Sequence, residues 1–179
     1  MLLLASVDPS TITNERLIGL ILISACLIGC HCRYDGKTNL TASLLECLAD
    51  QPLIPICPEQ LGGLSTPRPP CEIHGGDGEK VLAGSARVLT HDDQDLTKAF
   101  VRGARETLYL AQWQKIRLAI LKSKSPSCSP DHIYDGTFSH RLVPGQGVTA
   151  TLLQQHNIDV ISESDMISHK DDGKMGNVP

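Results

Sequence analysis

The sequence is poor in aromatic residues and has no excess of positive charge. Phe, Trp and Tyr make up 3% of its 179 residues, and 16 basic against 20 acidic side chains leave a formal net charge of −4. A chain of this charge repels a phosphate backbone, which argues against general nucleic-acid binding. Apolar residues still reach 41%, enough for an aliphatic core, so wholesale disorder is excluded and the length fits one domain.

No apolar run is long enough to cross a bilayer. The longest, residues 17–29, has 13 residues, whereas a transmembrane helix needs roughly 20. The apolar start Met1–Val7 has no basic leader and is too short for the core of a signal peptide. The sequence therefore predicts no membrane association and, by default, a cytoplasmic location. It carries no signal for an oligomeric state.

Several common site motifs are also missing. The glycine pairs Gly62-Gly63 and Gly75-Gly76 lack the spacing of a phosphate loop or a dinucleotide fingerprint. The seven histidines are scattered and none pairs obviously with a nucleophile, so a hydrolase triad has no support. The seven cysteines are too few for a disulfide scaffold, and they match neither the paired C-x-x-C knuckles of zinc modules nor the plant ferredoxin spacing.

Short aliphatic runs alternate with helical patterns along the chain. Candidate strands cover residues 20–25, 53–57, 116–121 and 158–162, and candidate helices cover residues 39–49, 91–113 and 148–155. Strands separated by helices imply right-handed crossovers. We therefore predict an α/β fold with a Rossmann-like parallel sheet of about four strands flanked by helices. Residues 58–78 and 122–147 have little periodicity and are predicted to form long irregular loops at the C-terminal ends of the strands.

The two ends of the chain lack these patterns. We expect a single α/β domain over residues 17–165, with a flexible N-terminal extension over residues 1–16 and a flexible C-terminal tail over residues 166–179. There is no internal repeat and no low-complexity tract that would divide the chain further.

Three cysteines follow three of the predicted strands. Cys26 and Cys57 end the first two strands, and Cys128 lies a few residues beyond the third. Parallel strands deliver their C-terminal ends to one edge of a sheet, so these thiols can converge there. Three thiolates make a soft site, suited to zinc or an iron–sulfur cluster rather than to magnesium or calcium. A free cysteine is most often a small buried hydrophobe, but three at equivalent strand ends favour a metal site.

Polar side chains lie close to the same strand ends. Glu59 is two residues from Cys57, and the segment 122–128 supplies two ammonium groups and several hydroxyls. A carboxylate beside a Lewis-acidic metal can move protons where burial raises its pKa toward neutrality. Arg33 and Arg68 are candidates for binding an anionic or polar substrate, an interpretation weighed evenly against structural ion pairs.

Four longer motifs contain these residues and follow one another along the chain. They are S-A-C-L-I-G-C-H-C-R-Y-D-G from Ser24, L-I-P-I-C-P-E-Q-L-G-G-L-S-T-P-R-P-P from Leu53, A-I-L-K-S-K-S-P-S-C from Ala119 and I-Y-D-G-T-F-S from Ile133. Together they resemble a bacterial and archaeal family, long known as a domain of unknown function, that includes the thiouracil desulfurases. The resemblance extends over residues 21–163.

The resemblance implies a 4Fe–4S cluster held by only three cysteines, with one iron open to the substrate. Carried over motif by motif, the ligands are Cys26, Cys57 and Cys128, the same three that the strand order selects. Cys32 also belongs to the pattern and is kept as a substitute ligand or a neighbouring thiol. The implied reaction is the non-redox removal of sulfur, as hydrosulfide, from thiouracil or a related thiolated nucleobase.

The same resemblance suggests which residues move protons. Glu59, with Ser125 or Ser127, would shuttle protons as water attacks the thiocarbonyl carbon. The sequence departs from the family pattern at Ser129-Pro130, where glycine is usual, and at the extra thiols Cys30 and Cys71. Two other functions remain open, a non-catalytic iron–sulfur or metal-binding module that handles sulfur or metal, and a zinc-stabilised structural domain.

Overall fold

The computed structural model describes residues 19–171 and the side chains of residues 19–168. In this part of the chain the strands are β1 (Ile21–Ser24), β2 (Leu53–Ile56), β3 (Cys71–His74), β4 (Arg87–Thr90), β5 (Leu118–Leu121), β6 (His132–Tyr134), β7 (Leu142–Pro144) and β8 (Asp159–Ser162). The helices are α1 (Ala42–Cys47), α2 (Pro58–Leu61), α3 (Gly78–Leu82), α4 (Thr97–Trp113), α5 (Val148–Gln155) and α6 (Glu163–Asp171). A 3-10 turn, Ala25–Ile28, follows β1 directly.

The central sheet has four parallel strands in the order β2-β1-β5-β8. Its middle strands β1 and β5 are buried along their whole length, because alternate side chains point to opposite faces and both faces are covered. Ile21 and Ile23 pack on the side of α1 and α6, and Leu22 packs on the side of α4 and α5. The predicted α/β fold with its four-stranded parallel sheet is confirmed.

The two segments predicted to be irregular loops contain strands that form two small antiparallel pairs. Residues 58–78 contain the short helix α2 and strand β3, which pairs with β4, and residues 122–147 contain the β6–β7 hairpin. These strands have only three or four residues, too short for a clear alternating pattern. Their apolar side chains, such as Ile73 and Ile133, join a separate core cluster against α4.

Two element boundaries also differ from the predictions. The acidic segment from His91 does not begin a helix. It forms a turn after β4, with Asp93 in the left-handed region, and α4 begins at Thr97 with its N–H donating to the Asp95 carboxylate. The tail was predicted to begin at residue 166, but α6 continues to Asp171 and buries Met166 at 1% exposure.

The predicted N-terminal extension, residues 1–16, lies outside the described residues, as do residues 172–179. Across the described range, 19–171, no helix has both the length and the apolar character that a membrane span requires.

Candidate metal centre

A pocket of about 540 Å³ opens at the C-terminal ends of the parallel strands. This is the edge at which α/β sheets bind ligands. Among the side chains that line it are five thiols, those of Cys26, Cys32, Cys57, Cys71 and Cys128. The pocket therefore gathers the three cysteines that the strand order selected and adds Cys32 from the loop after β1 and Cys71 from β3.

Cys26 is positioned by the 3-10 turn that follows β1. Its carbonyl accepts the Asn39 N–H at 2.9 Å, and Asn39 Nδ2 lies 3.6 Å from the Cys26 Sγ. Asn39 is held in turn by the Arg33 guanidinium, which donates to its amide oxygen and to both carboxylate oxygens of Asp35, at 2.9 and 3.1 Å. Arg33 borders the pocket as expected, but its hydrogen bonds go to the protein, where they fix a side chain that touches Cys26.

Cys57 lies at the N-terminus of α2, immediately before Pro58. Its Sγ is 3.7 Å from the Cys32 carbonyl oxygen and 3.9 Å from Arg68 Nη2. Arg68 is 8% exposed and donates to the Glu59 carboxylate at 2.5 Å and to the Cys32 carbonyl at 2.9 Å. Its remaining donors bind Ser65 and Thr66, so this guanidinium joins three loops of the site.

Cys128 lies in a tight turn organised by a serine hydroxyl. Ser125 Oγ accepts the N–H groups of Ser127 and Cys128 at 3.2 and 3.1 Å, and Ser125 lines the pocket. Ser127 does not. Its hydroxyl is 1% exposed and hydrogen-bonds Thr149 Oγ1 on α5 at 2.9 Å. Its side chain therefore points into the helix packing and not into the pocket, which argues against the predicted role of Ser127 in proton transfer.

The thiols influence one another's protonation. A hydrogen bond from Cys32 lowers the pKa of Cys26 and, against the opposing effect of burial, lowers the pKa of Cys57 to about 7. The same hydrogen bonds to Cys26 and Cys57 raise the pKa of Cys32 itself. Burial raises the pKa of the Cys128 thiol. Two of these sulfurs are thus readily available as thiolates, the form that binds metal.

The donor set fits an iron–sulfur cluster. The sulfurs lie around one pocket, and cysteine thiolates are the donors that hold such clusters in proteins.

Other residues that line the pocket were not predicted from the sequence. Glu72 on β3 and the side chains of Tyr134, Phe138 and His140 on the β6–β7 hairpin also line the pocket. The motif that begins at Ile133 was recognised in the sequence, but the hairpin that brings it to the ends of the parallel strands was not predicted. Glu72 stood in a stretch predicted to be irregular, with no local pattern to mark it.

By class, an α/β protein that gathers five thiols at this edge of its sheet is a metal- or cluster-binding protein. A profile of the 2-thiouracil desulfurase family matches residues 21–165, and the chain belongs to that family of enzymes. The resemblance that the sequence motifs indicated is confirmed.

Two relatives support this membership. The protein YbbK of Bacillus subtilis (strain 168) is 44% identical over 147 residues, which covers 82% of this chain and 97% of YbbK. The solved structure of the 4Fe–4S-dependent thiouracil desulfidase TudS matches with a TM-score of 0.71 at 41% identity, and the match covers 82% of this chain and 91% of TudS.

Proposed function

We propose that this protein is a thiouracil desulfurase that uses a 4Fe–4S cluster to remove sulfur from thiouracil or a related thiolated nucleobase. The observation that carries the proposal is the convergence of Cys26, Cys57 and Cys128, from three different strand ends, on one pocket of a chain in this family. The similarity to TudS supports the same cofactor and reaction. The partner is a small molecule, since the charge of −4 disfavours a nucleic acid.

In this proposal Cys26, Cys57 and Cys128 hold the cluster, and Cys32 is a neighbouring thiol. Cys32 lies within hydrogen-bonding reach of two of the ligands, a position from which its S–H can tune a bound cluster. When bound, the cluster supplies a thiophilic iron that acts as a Lewis acid on the thiocarbonyl sulfur of the substrate. Thiolate ligation requires reduced cysteines, which supports a cytoplasmic location.

In this proposal Glu59 and Ser125 handle protons. One Glu59 oxygen accepts from Arg68, which fixes the carboxylate at the pocket wall, while its other oxygen makes no hydrogen bond with the described residues. Water adds its oxygen to the thiocarbonyl carbon, the C–S bond breaks, and sulfur leaves as hydrosulfide with no change of oxidation state. Of the two protons of the water, one passes to Glu59 and the other leaves on the sulfur, and the Ser125 hydroxyl, which also lines the pocket, relays one of them.

The proposal is tested with protein purified without oxygen. We expect about four irons and four sulfides per chain, and hydrosulfide and uracil in equal amounts from 2-thiouracil. Cys26→Ser, Cys57→Ser and Cys128→Ser should each lose iron, whereas Cys30→Ser, at an exposed thiol, should keep it. Iron-loaded protein that releases no hydrosulfide would make the chain a non-catalytic module, and zinc-loaded, colourless protein would make it a structural domain.

A further inference from the structure

Glu72 is a buried carboxylate that no basic side chain neutralises. It is 7% exposed on β3 and lines the pocket. The N–H of Phe138 donates to its Oε2 at 3.0 Å, and this is its one hydrogen bond among residues 19–168. Its Oε1 has no hydrogen-bond partner among the same residues but stays accessible, and the side chain lines the pocket.

This arrangement leaves one oxygen of a buried carboxylate for a ligand. Buried polar groups normally have hydrogen-bond partners, so the Oε1 of Glu72 needs a donor, either water or a ligand that enters the pocket. Two other acids of the site region are paired with basic side chains, the partly buried Glu59 with Arg68 and the buried Glu163 with Lys122. The Oε1 of Glu72 keeps two lone-pair positions that accept hydrogen bonds, and a donor on a ligand can replace water there.

The wall next to Glu72 is aromatic and fixed. Tyr134, Phe138 and His140 border the same pocket from the β6–β7 hairpin. Phe138 has a φ of 56°, and its ring packs against the rings of His74 and His91 with centroids 5.8 and 5.3 Å apart. This wall offers flat apolar surface to a planar ring.

We propose that Glu72 selects the substrate: its Oε1 accepts a ring N–H of a planar thiolactam that lies against the aromatic wall of the β6–β7 hairpin. This inference rests on the proposed function and narrows its substrate class. The preferred substrates are heterocycles with a free N–H next to the thiocarbonyl, and alkylation of the recognised nitrogen excludes them. Glu72 binds and orients the ring, whereas Glu59 on α2 handles the proton of the attacking water.

The informative variant is Glu72→Gln. Its amide oxygen still accepts the Phe138 N–H, so the contact that pins the hairpin is kept, but the open acceptor becomes an NH2 donor. We expect kcat/KM for 2-thiouracil to fall about 10- to 100-fold, mainly because KM rises. This is the size of effect expected when a hydrogen bond to a charged group is lost. Uracil, which lacks the sulfur, should bind the variant holoenzyme more weakly by a similar factor. Glu106→Gln, an exposed acid on α4, should behave as wild type.

The substrate itself supplies the second arm of the test. Wild type should turn over one of 1-methyl-2-thiouracil and 3-methyl-2-thiouracil at least tenfold less efficiently than 2-thiouracil, and this penalty should shrink in Glu72→Gln. Equal turnover of all three substrates by wild type overturns the inference, even if the variant does not fold. A wild-type kcat/KM in Glu72→Gln overturns it as well. Wild type that is inactive on 2-thiouracil overturns the proposed function instead.

Discussion

The arginines that border the thiols bind the protein around them. Arg68 donates to Glu59, to the Cys32 carbonyl and to the loop before it, and Arg33 holds Asn39 against Cys26. All five N–H groups of Arg68 have partners in the protein, and Arg33 uses three of its five to bind Asn39 and Asp35. We propose that these two residues, expected to bind substrate, position Glu59 and Asn39 at the pocket.

Arg68→Gln tests this positioning role at the scale of one residue. The variant leaves the half-buried Glu59 carboxylate without its cation, and breaking such a pair typically costs about 3–5 kcal/mol. We expect a lower free energy of unfolding in urea, less iron per chain and a large loss of kcat. Arg105→Gln, on the exposed face of α4, is the control and should show none of these changes. An Arg68 variant with full iron content and only a raised KM would make Arg68 a substrate-binding residue after all.

Glu163 gives a prediction about pH. Burial alone would raise its pKa, but hydrogen bonds from Lys122 and from the N–H and hydroxyl of Ser123 outweigh burial and hold the pKa below its usual value of 4.5. A carboxyl with a lowered pKa in the folded state stabilises the fold above its unfolded pKa, and this contribution disappears as pH falls through the folded value.

Urea unfolding of the reduced, iron-free protein between pH 7 and pH 3.5 measures this contribution. Wild type should lose stability below about pH 4.5, and Glu163→Gln should be less stable at pH 7 but lose less on acidification. Glu106→Gln serves again as the exposed control. Parallel pH profiles for wild type and Glu163→Gln would show that the contact with Lys122 contributes nothing.

At the scale of elements, the position of Cys128 depends on how closely α5 approaches its loop. A methyl group on Gly147 would lie 2.5 Å from the carbonyl of Ser127 and 2.8 Å from the Cys128 nitrogen. The φ of Gly147 is −73°, which any residue adopts, so the requirement for glycine is steric and not conformational. The start of the helix therefore fixes the Cys128 turn through a backbone contact that leaves no room for a side chain.

Gly147→Ala should push the Cys128 turn away from the other thiols. We expect a destabilisation of about 1–3 kcal/mol, typical of an overpacked contact, together with reduced iron content after anoxic reconstitution. The matched control is Gln155→Ala, at the exposed end of the same helix. If Gly147→Ala bound as much iron as wild type and melted at the same temperature, the close contact between Gly147 and the Cys128 turn would not fix the position of Cys128.

The elements also show what the sequence could and could not predict. Strands β1 and β5 were predictable because they are continuous apolar runs, and the direction of parallel strands placed Cys26, Cys57 and Cys128 at one edge. The β3–β4 pair and the β6–β7 hairpin were not, since strands this short carry no periodic signal. Glu72 and the aromatic wall lie on these elements and were missed with them. The direction of the Ser127 hydroxyl could not be predicted, because spacing along a turn does not reveal where a side chain points.

For the whole molecule, the proposed ligands tie distant parts of the chain together. Cys26, Cys57 and Cys128 lie after β1, β2 and β5, so a shared cluster cross-links segments up to about a hundred residues apart. Ligands that bind only the folded state stabilise it by mass action, and a centre built from remote residues exists only in that state. Cluster binding and global folding should therefore be coupled.

Removal of iron by a chelator under anoxic conditions tests this coupling. We expect the iron-free protein to unfold at a lower temperature than the loaded protein. The variants Cys26→Ser, Cys57→Ser and Cys128→Ser should melt like the iron-free form whether or not iron is supplied, because each breaks the same cross-link. Cys30→Ser should keep the difference between loaded and iron-free protein, since its thiol is exposed outside the pocket. Calorimetry at fixed protein concentration measures wild type and the four variants. The melting temperatures of Cys26→Ser, Cys57→Ser and Cys128→Ser should no longer depend on iron.

One of these three variants could instead keep the full iron-dependent rise in melting temperature. That cysteine would then not be a ligand, and Cys32, which lies within hydrogen-bonding reach of Cys26 and Cys57, would take its place.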